Sequence, residues 1–412
     1  MNDMNDQVRE LWRNVDFRKM FTSRVVSNFG NGMTPIALAF GVLDLPGGNA
    51  GSLSIVTAAH MVPLVLFMVI GGVAADRFGR ALLVGGTDLL GSIFVSISAI
   101  AFLMGFASVP LLAFNGFVFG VLNSLWYPAF TGLMPQIVET RLLQSANALV
   151  GMGANLALTL GAATAGILVA AFGSGWAILI DALSFFIAGC LVFSLRHLDR
   201  DAPTDEEKEV GIITQLKDGW VEFSSRRWIV IIVVSFAFFH PAFEGFIGVM
   251  APVRAKEVLH GARDMGFMMA GWGFGGLLGT IAALRLHVKR PLLLAVGVMP
   301  TISLWIFSMA VPMPIWFLVG TAVIGGIAID VMYANWLTTL QTYVPEEAMS
   351  RVGAYDAFGS LIFAPMGLFV AGPFTKWLGT QTALVVAGTV ALVAASVPLL
   401  SREVRTLTRA DQ

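Results

Sequence analysis

Charged residues are scarce in this chain. Asp, Glu, Lys and Arg make up 12% of the 412 residues, about half of the share that a soluble globular protein carries. Hydrophobic residues make up 57%, and the mean hydropathy is +0.80. The number of polar groups is too small to cover the surface of a soluble protein. The composition therefore excludes an ordinary soluble protein and indicates a polytopic membrane protein.

Cysteine is nearly absent, and motifs for nucleotide chemistry are missing. The single Cys190 lies in an apolar run, which excludes a disulfide framework and a cysteine-based metal site. No P-loop occurs, which excludes direct ATP hydrolysis. Residues 271–276 have the letters of a dinucleotide fingerprint, but no strand precedes them, and their small residues favour close helix packing. We therefore expect no enzyme activity, no cofactor, no metal and no nucleic-acid partner.

Long apolar runs, by contrast, are abundant. A helix needs about 20 mostly apolar residues to cross a bilayer. Twelve stretches meet this length: 20–43, 52–74, 81–104, 109–136, 145–171, 174–195, 227–250, 265–286, 290–311, 314–340, 351–375 and 380–400. Residues 1–19 are polar and lack a signal-peptide core, so the first span is the uncleaved insertion signal. Apolar helices rather than alternating strands predict an all-α polytopic protein of an inner, energised membrane.

Positive charge is distributed unevenly between the two sides that these spans define. With the N-terminus inside, 20 of the 25 Lys and Arg residues fall on the inner side. The outer side keeps Arg254, Lys256, Arg263 and Lys376, and Arg24 lies within the first span. The positive-inside rule therefore predicts a plasma-membrane protein with both termini in the cytoplasm.

One long polar segment divides the twelve spans into six and six. It predicts an N-terminal six-helix bundle at 1–195, a cytoplasmic linker at 196–227 and a C-terminal bundle at 228–412. Trp220 and Phe223 predict a short amphipathic piece of that linker at the membrane surface.

The two halves repeat at an offset of 206 residues. That offset aligns 139–148 with 345–354, and it aligns the following glycine pairs: Gly161 with Gly367, and Gly120 with Gly326. A repeated six-helix unit predicts two pseudo-symmetric bundles around an axis along the membrane normal. A substrate is then expected between the bundles, near the midplane.

Ionisable residues inside apolar spans are costly and are candidate functional residues. They are Arg24, Asp88, Asp181, His240, Glu244, Asp330 and Asp356. Asp88 and Asp356 lie within two turns of the inner ends of their spans, where we expect interfacial pairing. For Asp181, a structural and a functional role stay open.

Glu244 and Asp330 are the main candidates for proton coupling, with Asp181 as a third. His240 and Glu244 lie one turn apart in the seventh span, and each side chain either bonds a neighbouring helix or belongs to a proton-coupling pair. A partly desolvated carboxylate can exchange protons with bulk water, which favours the second role for Glu244.

Polar residues form stripes on the first, fourth, seventh and tenth spans. Arg24 either extends to the inner interface or shares a cavity face with Asn28 and Asn31. The candidate cavity residues are Arg24, Asn28, Asn31, Asn123, Tyr127, His240 and Tyr333. Trp126, Trp272 and Trp336 either pack between helices or line a cavity for a bulky apolar or cationic solute.

Residues 71–80 hold three charges and three glycines, which predicts a short charged inner loop. At Gly72, Asp76, Arg77, Gly79 and Arg80 this stretch resembles the loop between the second and third spans of the major facilitator superfamily. The resemblance covers the whole chain and implies that these residues gate the transporter. Asp76 would then meet the N-terminus of the eleventh span; alternatively, it pairs with Arg77 or Arg80 as an ordinary loop carboxylate.

Two further motifs resemble the twelve-helix drug:proton antiporter branch, which includes macrolide and enterobactin exporters. They are Ser27–Met33, and Tyr127-Pro128-Ala129 followed by Met134-Pro135 and then by 145–148. The fifth span departs from the branch because it lacks the Gly-Pro element of many drug antiporters. The resemblance implies a monomer in membrane lipid that exports a hydrophobic or amphipathic small molecule in exchange for protons. Import of a metabolite by a uniporter or symporter and a non-transporting sensor remain alternatives.

Overall fold

A computed structural model describes residues 2–200, 220–286 and 288–408. It leaves the side chains of 2–5, 68–77, 200, 284, 346, 347, 350, 351 and 354 outside the description. Over the described ranges the chain is helical and contains no strand. Its residues form two compact units, Met1–Thr204 with Ala255–Ala270 and Asp205–Arg254 with Gly271–Gln412.

The first half begins with two helices separated by one residue. The α-helices are α1 Asn2–Arg13, α2 Val15–Asp44, α3 Ala50–Phe78, α4 Arg80–Leu103, α5 Val109–Thr131, α6 Met134–Ile137, α7 Leu143–Phe172 and α8 Ser174–Phe193. Asn14 separates α1 from α2 and caps α2, because its side chain accepts hydrogen bonds from the backbone N–H groups of Asp16 and Phe17. Short 3₁₀ turns follow at Thr140–Leu142 and Arg196–Arg200.

The second half contains more interrupted helices. They are α9 220–225, α10 Arg227–Gly245, α11 Ala251–Val258, α12 Ala262–Arg285, α13 Pro291–Val298, α14 Ile302–Ala310, α15 Ile315–Tyr343, α16 Glu346–Leu361, α17 Ala364–Leu378, α18 Thr380–Ser396 and α19 Arg402–Thr406. A π-helical turn at Phe246–Met250 joins α10 to α11, so one span runs from Arg227 to Val258. Such π-turns occur within longer helices, frequently at functional sites.

Eleven helices in the described ranges are long and apolar enough to cross a membrane. The helix of the first predicted span, α2, is not among them although it has 30 residues. Its polar stripe, which includes Arg24, Asn28 and Asn31, lowers the hydropathy of an otherwise bilayer-length helix. The chain is an all-α integral membrane protein, as its composition predicts.

The charged loop expected at 71–80 is instead a single-residue turn. Helix α3 continues to Phe78, and α4 begins at Arg80. Gly79 alone makes the turn with φ 88° and ψ 140°, a conformation that glycine adopts without strain. The loop prediction was wrong because scattered charges at a helix end do not stop a helix, whereas one left-handed glycine does.

The repeated glycines make equivalent contacts within each unit. A Cβ on Gly161 of α7 would lie 2.0 Å from the Phe29 carbonyl oxygen of α2. A Cβ on Gly367 of α17 would lie at the same distance from the Pro241 carbonyl oxygen of α10. Glycine at these positions lets the two helix backbones touch.

The other aligned glycine pair behaves in the same way. A Cβ on Gly120 of α5 would lie 2.2 Å from the His60 carbonyl oxygen of α3, and one on Gly326 of α15 would lie 2.0 Å from the Trp272 carbonyl oxygen of α12. These four contacts show that the sequence repeat at offset 206 reflects a repeated helix-packing pattern.

The amphipathic piece predicted in the linker is helical. In α9, Phe223 is 5% exposed and Trp220 is 54% exposed. Both rings contact Tyr355 of α16, at centroid distances of 5.7 and 5.6 Å. Residues 201–219 of the predicted linker lie outside the described ranges.

Candidate functional site

Two glycines hold α2 against its neighbours. A Cβ on Gly30 would lie 2.2 Å from the Asp181 carboxylate oxygen Oδ1 of α8, and a Cβ on Gly32 would lie 2.2 Å from the Leu158 carbonyl oxygen of α7. The hydroxyl of Ser23 also donates to the Ala188 carbonyl oxygen of α8 at 3.3 Å. These contacts fix the backbone of the helix that carries the first polar stripe.

Arg24 does not extend to the membrane interface. Its side chain is 7% exposed, and its guanidinium carbon lies 4.3 Å from the Trp126 ring centroid and 4.9 Å from that of Phe130. The two rings stack on each other at 4.6 Å. A desolvated cation over such rings gains about 2 kcal/mol. Arg24 therefore packs inside its unit, and its place in a solute cavity stays a prediction.

Asp88 does not form the interfacial pair expected from its position. It is 4% exposed, and its Oδ2 has no hydrogen-bond partner in the described chain. Nη1 of Arg24 and Nε1 of Trp126 likewise have none there. Arg24 and Asp88 are near enough to interact electrostatically. The structure thus brings together a buried cation, a buried carboxyl group and a tryptophan, each with an unused polar atom.

The remaining polar residues of α2 are bonded locally. Asn28 donates to the Arg24 carbonyl oxygen at 2.8 Å, and Asn31 donates to the Ser27 hydroxyl at 3.4 Å. Both side chains are half-buried. They satisfy part of their hydrogen-bonding capacity within the helix and keep the rest for a solute or water.

Asp181 is fully embedded in polar contacts. It is 1% exposed, and it accepts hydrogen bonds from the hydroxyls of Thr34 at 2.5 Å and Ser184 at 3.3 Å. Buried carboxyl groups need such partners. This environment is compatible with either of the roles that its sequence position left open.

His60 is a candidate residue that the sequence analysis did not include. It lies in α3, and its Nε2 accepts a hydrogen bond from the Asn123 amide of α5 at 3.2 Å. Its ring also stacks on Phe119 at 5.5 Å. The rule that selected Glu244, an ionisable group inside an apolar run, applies equally to His60. The predicted cavity residue Asn123 is thus part of a side-chain pair.

The other polar residues of α5 do not join that pair. Asn115 is buried and donates to the Ser98 hydroxyl at 2.9 Å. Tyr127 is 57% exposed on the surface of the described structure. Of the predicted cavity residues of α5, Asn123 is therefore bonded to His60, and Tyr127 is exposed.

In the second unit, Glu244 lies at the end of α10, immediately before the π-helical turn. It is half-buried and forms no hydrogen bond or ion pair with any residue of the described ranges. His240, one turn earlier, donates from Nδ1 to the Phe236 carbonyl oxygen at 3.0 Å. The two side chains predicted as a pair therefore differ, because His240 has an internal partner and Glu244 has none.

A continuous row of aromatic rings surrounds this part of α10. Phe243 contacts Trp272 at a centroid distance of 5.2 Å, and Trp272 contacts Trp305 at 5.4 Å. Phe239 joins Phe243 to the His240 ring, at 5.8 and 6.0 Å. Such rings provide an apolar surface that also favours cations.

Asp330 and Tyr333 occupy one turn of α15. Asp330 is half-buried, and its carboxylate lies so close to α12 that a Cβ on Gly276 would be 2.4 Å from Oδ2. Tyr333 is 61% exposed. Asp356 accepts a hydrogen bond from the Trp336 indole at 2.9 Å. The glycine-rich stretch 271–276 thus accommodates a carboxylate and a neighbouring helix, as close packing predicts.

Two of the five predicted gate residues are described in full. Arg80 donates to the Gly132 carbonyl oxygen at 2.8 Å. Gly79 packs on Asp199, whose carboxylate accepts hydrogen bonds from the backbone N–H groups of Ala81 and Leu82 at 3.0 and 2.9 Å. Asp199 therefore caps α4. Its sequence position outside the spans gave no signal for this contact.

The other three predicted gate residues are Gly72, Asp76 and Arg77. Their backbone belongs to α3, and their side chains lie outside the described residues. The expected contact of Asp76 stays a prediction.

No group of three or more His, Cys, Asp or Glu side chains suited to a metal ion occurs within the described ranges. The site chemistry consists of single ionisable groups, aromatic rings and amides. This chemistry suits reversible binding of protons and of bulky organic solutes.

Comparison with known proteins gives one family and several relatives. The sequence model of a major facilitator family described as "Transmembrane secretion effector" matches residues 11–412. The multidrug efflux pump Tap of Mycolicibacterium fortuitum is 25% identical over 366 residues, covering 85% of this chain and 87% of that protein. Tap of Mycobacterium tuberculosis is 26% identical over 382 residues, covering 85% and 84%.

Solved structures match the fold over nearly the full length. The crystal structure of a peptide transporter superposes with a TM-score of 0.73 at 13% identity, covering 96% of each chain. The nucleoside transporter NupG superposes with a TM-score of 0.72 at 12% identity, covering 95% of this chain and all of that one. At these identities the likeness establishes the fold.

Proposed function

The chain belongs to the transmembrane secretion effector family of the major facilitator superfamily, and from this premise we propose that it exports a hydrophobic or amphipathic small molecule in exchange for protons. It is a transporter and not an enzyme. Relatives at about a quarter identity are named multidrug efflux pumps, which supports export. Two six-helix bundles working by alternating access, with both termini in the cytoplasm, complete the proposal.

One observation supports it most strongly: Glu244, which has no hydrogen-bond or ion-pair partner among the described residues, lies in the same helix as Phe239 and Phe243 of the aromatic row. A carboxylate inside a membrane span without a partner is unfavourable, and it is stabilised by either a proton or a cation. The half-buried rings of Phe243 and Trp272 offer a surface for an aromatic or cationic solute. In this proposal proton and solute compete for the Glu244 carboxylate, which is the requirement for exchange.

The other candidate residues have supporting roles in this proposal. Asp330 and Asp181 are further proton carriers. Asn28, Asn31, Asn123, Tyr127, His240 and Tyr333, with Arg24, shape the solute cavity. Gly72, Asp76, Arg77, Gly79 and Arg80 form the gate, and the turn at Gly79 with its capping Asp199 supports a defined hinge there.

Transport by the purified protein in liposomes tests the proposal. We use ethidium, a fluorescent amphipathic aromatic cation, and impose an inside-acidic proton gradient. Protons leaving the liposomes should drive ethidium inward against its own gradient. Glu244→Gln and Asp330→Asn should each abolish this accumulation, because neither amide carries a proton or a negative charge.

The matched control is Glu403→Gln, which alters an exposed carboxylate in α19 and should leave accumulation unchanged. Accumulation that persists in both Glu244→Gln and Asp330→Asn rules out their assignment as proton carriers. Equilibration of ethidium without dependence on the gradient indicates a uniporter and contradicts proton-coupled export.

A further inference from the structure

An arginine and an aspartate are buried close together in the first unit without forming an ion pair. Arg24 and Asp88 are 7% and 4% exposed, and their charges interact. In the described chain, however, Nη1 of Arg24 and Oδ2 of Asp88 have no hydrogen-bond partner. Opposite charges removed from water are strongly favoured to pair, because each is costly alone. The absence of an ion pair between Arg24 and Asp88 therefore needs a physical explanation.

Arg24 has a second favourable position, which it occupies here. Its guanidinium carbon lies 4.3 and 4.9 Å from the ring centroids of Trp126 and Phe130, which stack at an interplanar angle of 13°. The same Trp126 lies beside the Asp88 carboxyl group. Trp126 is thus a neighbour of both charged groups, and a change of the Arg24 side-chain torsions moves the guanidinium group without moving the backbone.

The backbone beneath Arg24 is fixed, so the side chain is the part that moves. Ser23 donates to the Ala188 carbonyl oxygen of α8, and Gly30 lies directly against Asp181 and Ser184 of the same helix. A displacement of α2 would break these contacts. A rotation of the long Arg24 side chain would not.

We propose that Asp88 is a proton-binding site of the first unit, and that Arg24 moves between the Asp88 carboxylate and the Trp126–Phe130 rings as the proton leaves and returns. With the proton on Asp88 the carboxyl group is neutral, and Arg24 stays on the rings. When the proton leaves, the carboxylate attracts Arg24 from the rings. The inference rests on the proposed proton-coupled function and states which residue of the first unit binds the proton.

The charges around Asp88 agree with this assignment. Helix α2 presents Arg24, α8 presents Asp181 within electrostatic reach, and α5 presents the neutral Trp126. Other titratable side chains on elements packed against α4, within the described ranges, are His60, Tyr127, Cys190, Arg196, His197 and Asp199. His60 is bonded to Asn123, and Asp199 caps the start of α4. Arg24 is therefore the counter-charge whose position responds to Asp88.

Infrared difference spectroscopy on the full chain in lipid nanodiscs tests the proton site directly. The spectrum between acidic and mildly alkaline buffer should contain the C=O stretch of a carboxyl group that gains a proton. Asp88→Asn should remove one component of this band, and Asp88→Glu should displace that component. Asp356→Asn, which removes a carboxyl group already bonded to Trp336, should leave the component in place.

Arg24→Gln tests the role of the counter-charge. Removing a nearby positive charge should move the midpoint of the Asp88 component to more alkaline pH by about one unit or more. Arg24→Lys should move it less, because the charge remains. An unchanged band in Asp88→Asn, or an unchanged midpoint in Arg24→Gln, overturns the proposal.

These readouts do not depend on transport or on one variant. If Asp88→Asn does not fold, the other two variants still test the proposal. Asp88→Glu should displace the carboxyl component of the spectrum, and Arg24→Gln should shift its pH midpoint. The band can be present while ethidium export proves absent, and the reverse can also occur. Failure of the proton site is therefore distinguishable from failure of the proposed function.

Discussion

Replacing Gly161 by alanine tests the close packing of α2 and α7. The added Cβ would lie 2.0 Å from the Phe29 carbonyl oxygen, whereas an ordinary contact begins at 3.4 Å. The obstacle is backbone, which cannot rotate away, so the two helices must separate by more than an ångström. Forced overpacking costs about 1–3 kcal/mol, and better helix propensity returns about 1 kcal/mol. We expect Gly161→Ala to destabilise the protein by up to about 2 kcal/mol.

Gly151 provides the matched control, because it lies in the same helix and a Cβ there would meet nothing within 4 Å. Gly151→Ala should therefore stabilise the protein by about 1 kcal/mol. Thermal unfolding of both variants in detergent, followed by tryptophan fluorescence, gives the comparison. The same order of melting temperatures is expected in α15. Gly326→Ala should be less stable than Gly320→Ala, because a Cβ on Gly326 is crowded and one on Gly320 would meet nothing within 4 Å. Equal melting temperatures for Gly161→Ala and Gly151→Ala would refute the packing argument.

Three further predictions concern residues that position the site. Asp199→Ala removes the cap of α4 and should cost about 0.5–2 kcal/mol in thermal unfolding, with a smaller loss for Asp199→Asn, which keeps one acceptor oxygen. His60→Ala leaves the Asn123 amide without its partner and should cost about 1–3 kcal/mol, whereas His60→Gln should recover part of that loss. Trp272→Ala interrupts the aromatic row and should raise the KM for ethidium several-fold, whereas Trp316→Ala, at a side chain 72% exposed, should not change it.

The membrane class and the helix repeat could be predicted from the sequence because both depend on local patterns. Apolar length identifies spans, and glycines at one offset mark positions where helix backbones touch. Gly161 and Gly367 show this agreement, since both face a carbonyl oxygen of a neighbouring helix. Such features require no knowledge of which side chain faces which.

The site was harder to predict because it depends on side-chain direction and partners. The sequence left Arg24 between the inner interface and a cavity face, and only its contact with Trp126 and Phe130 shows that it does not extend to the interface. Asp88 was expected to pair at the interface, whereas within the described residues its Oδ2 has no hydrogen-bond partner. The turn at Gly79 could be recognised only from its positive φ, and its partner Asp199 is more than a hundred residues away in sequence.

Proton movement during solute exchange tests the central claim most directly. Liposomes containing the wild-type protein and an internal pH-sensitive dye are given external ethidium with no pH gradient. Export in exchange for protons predicts that ethidium entry drives protons out, so the interior becomes alkaline, and that Glu244→Gln abolishes this change. Ethidium entry without a change of internal pH in the wild type, or an unaltered change in Glu244→Gln, would contradict the account.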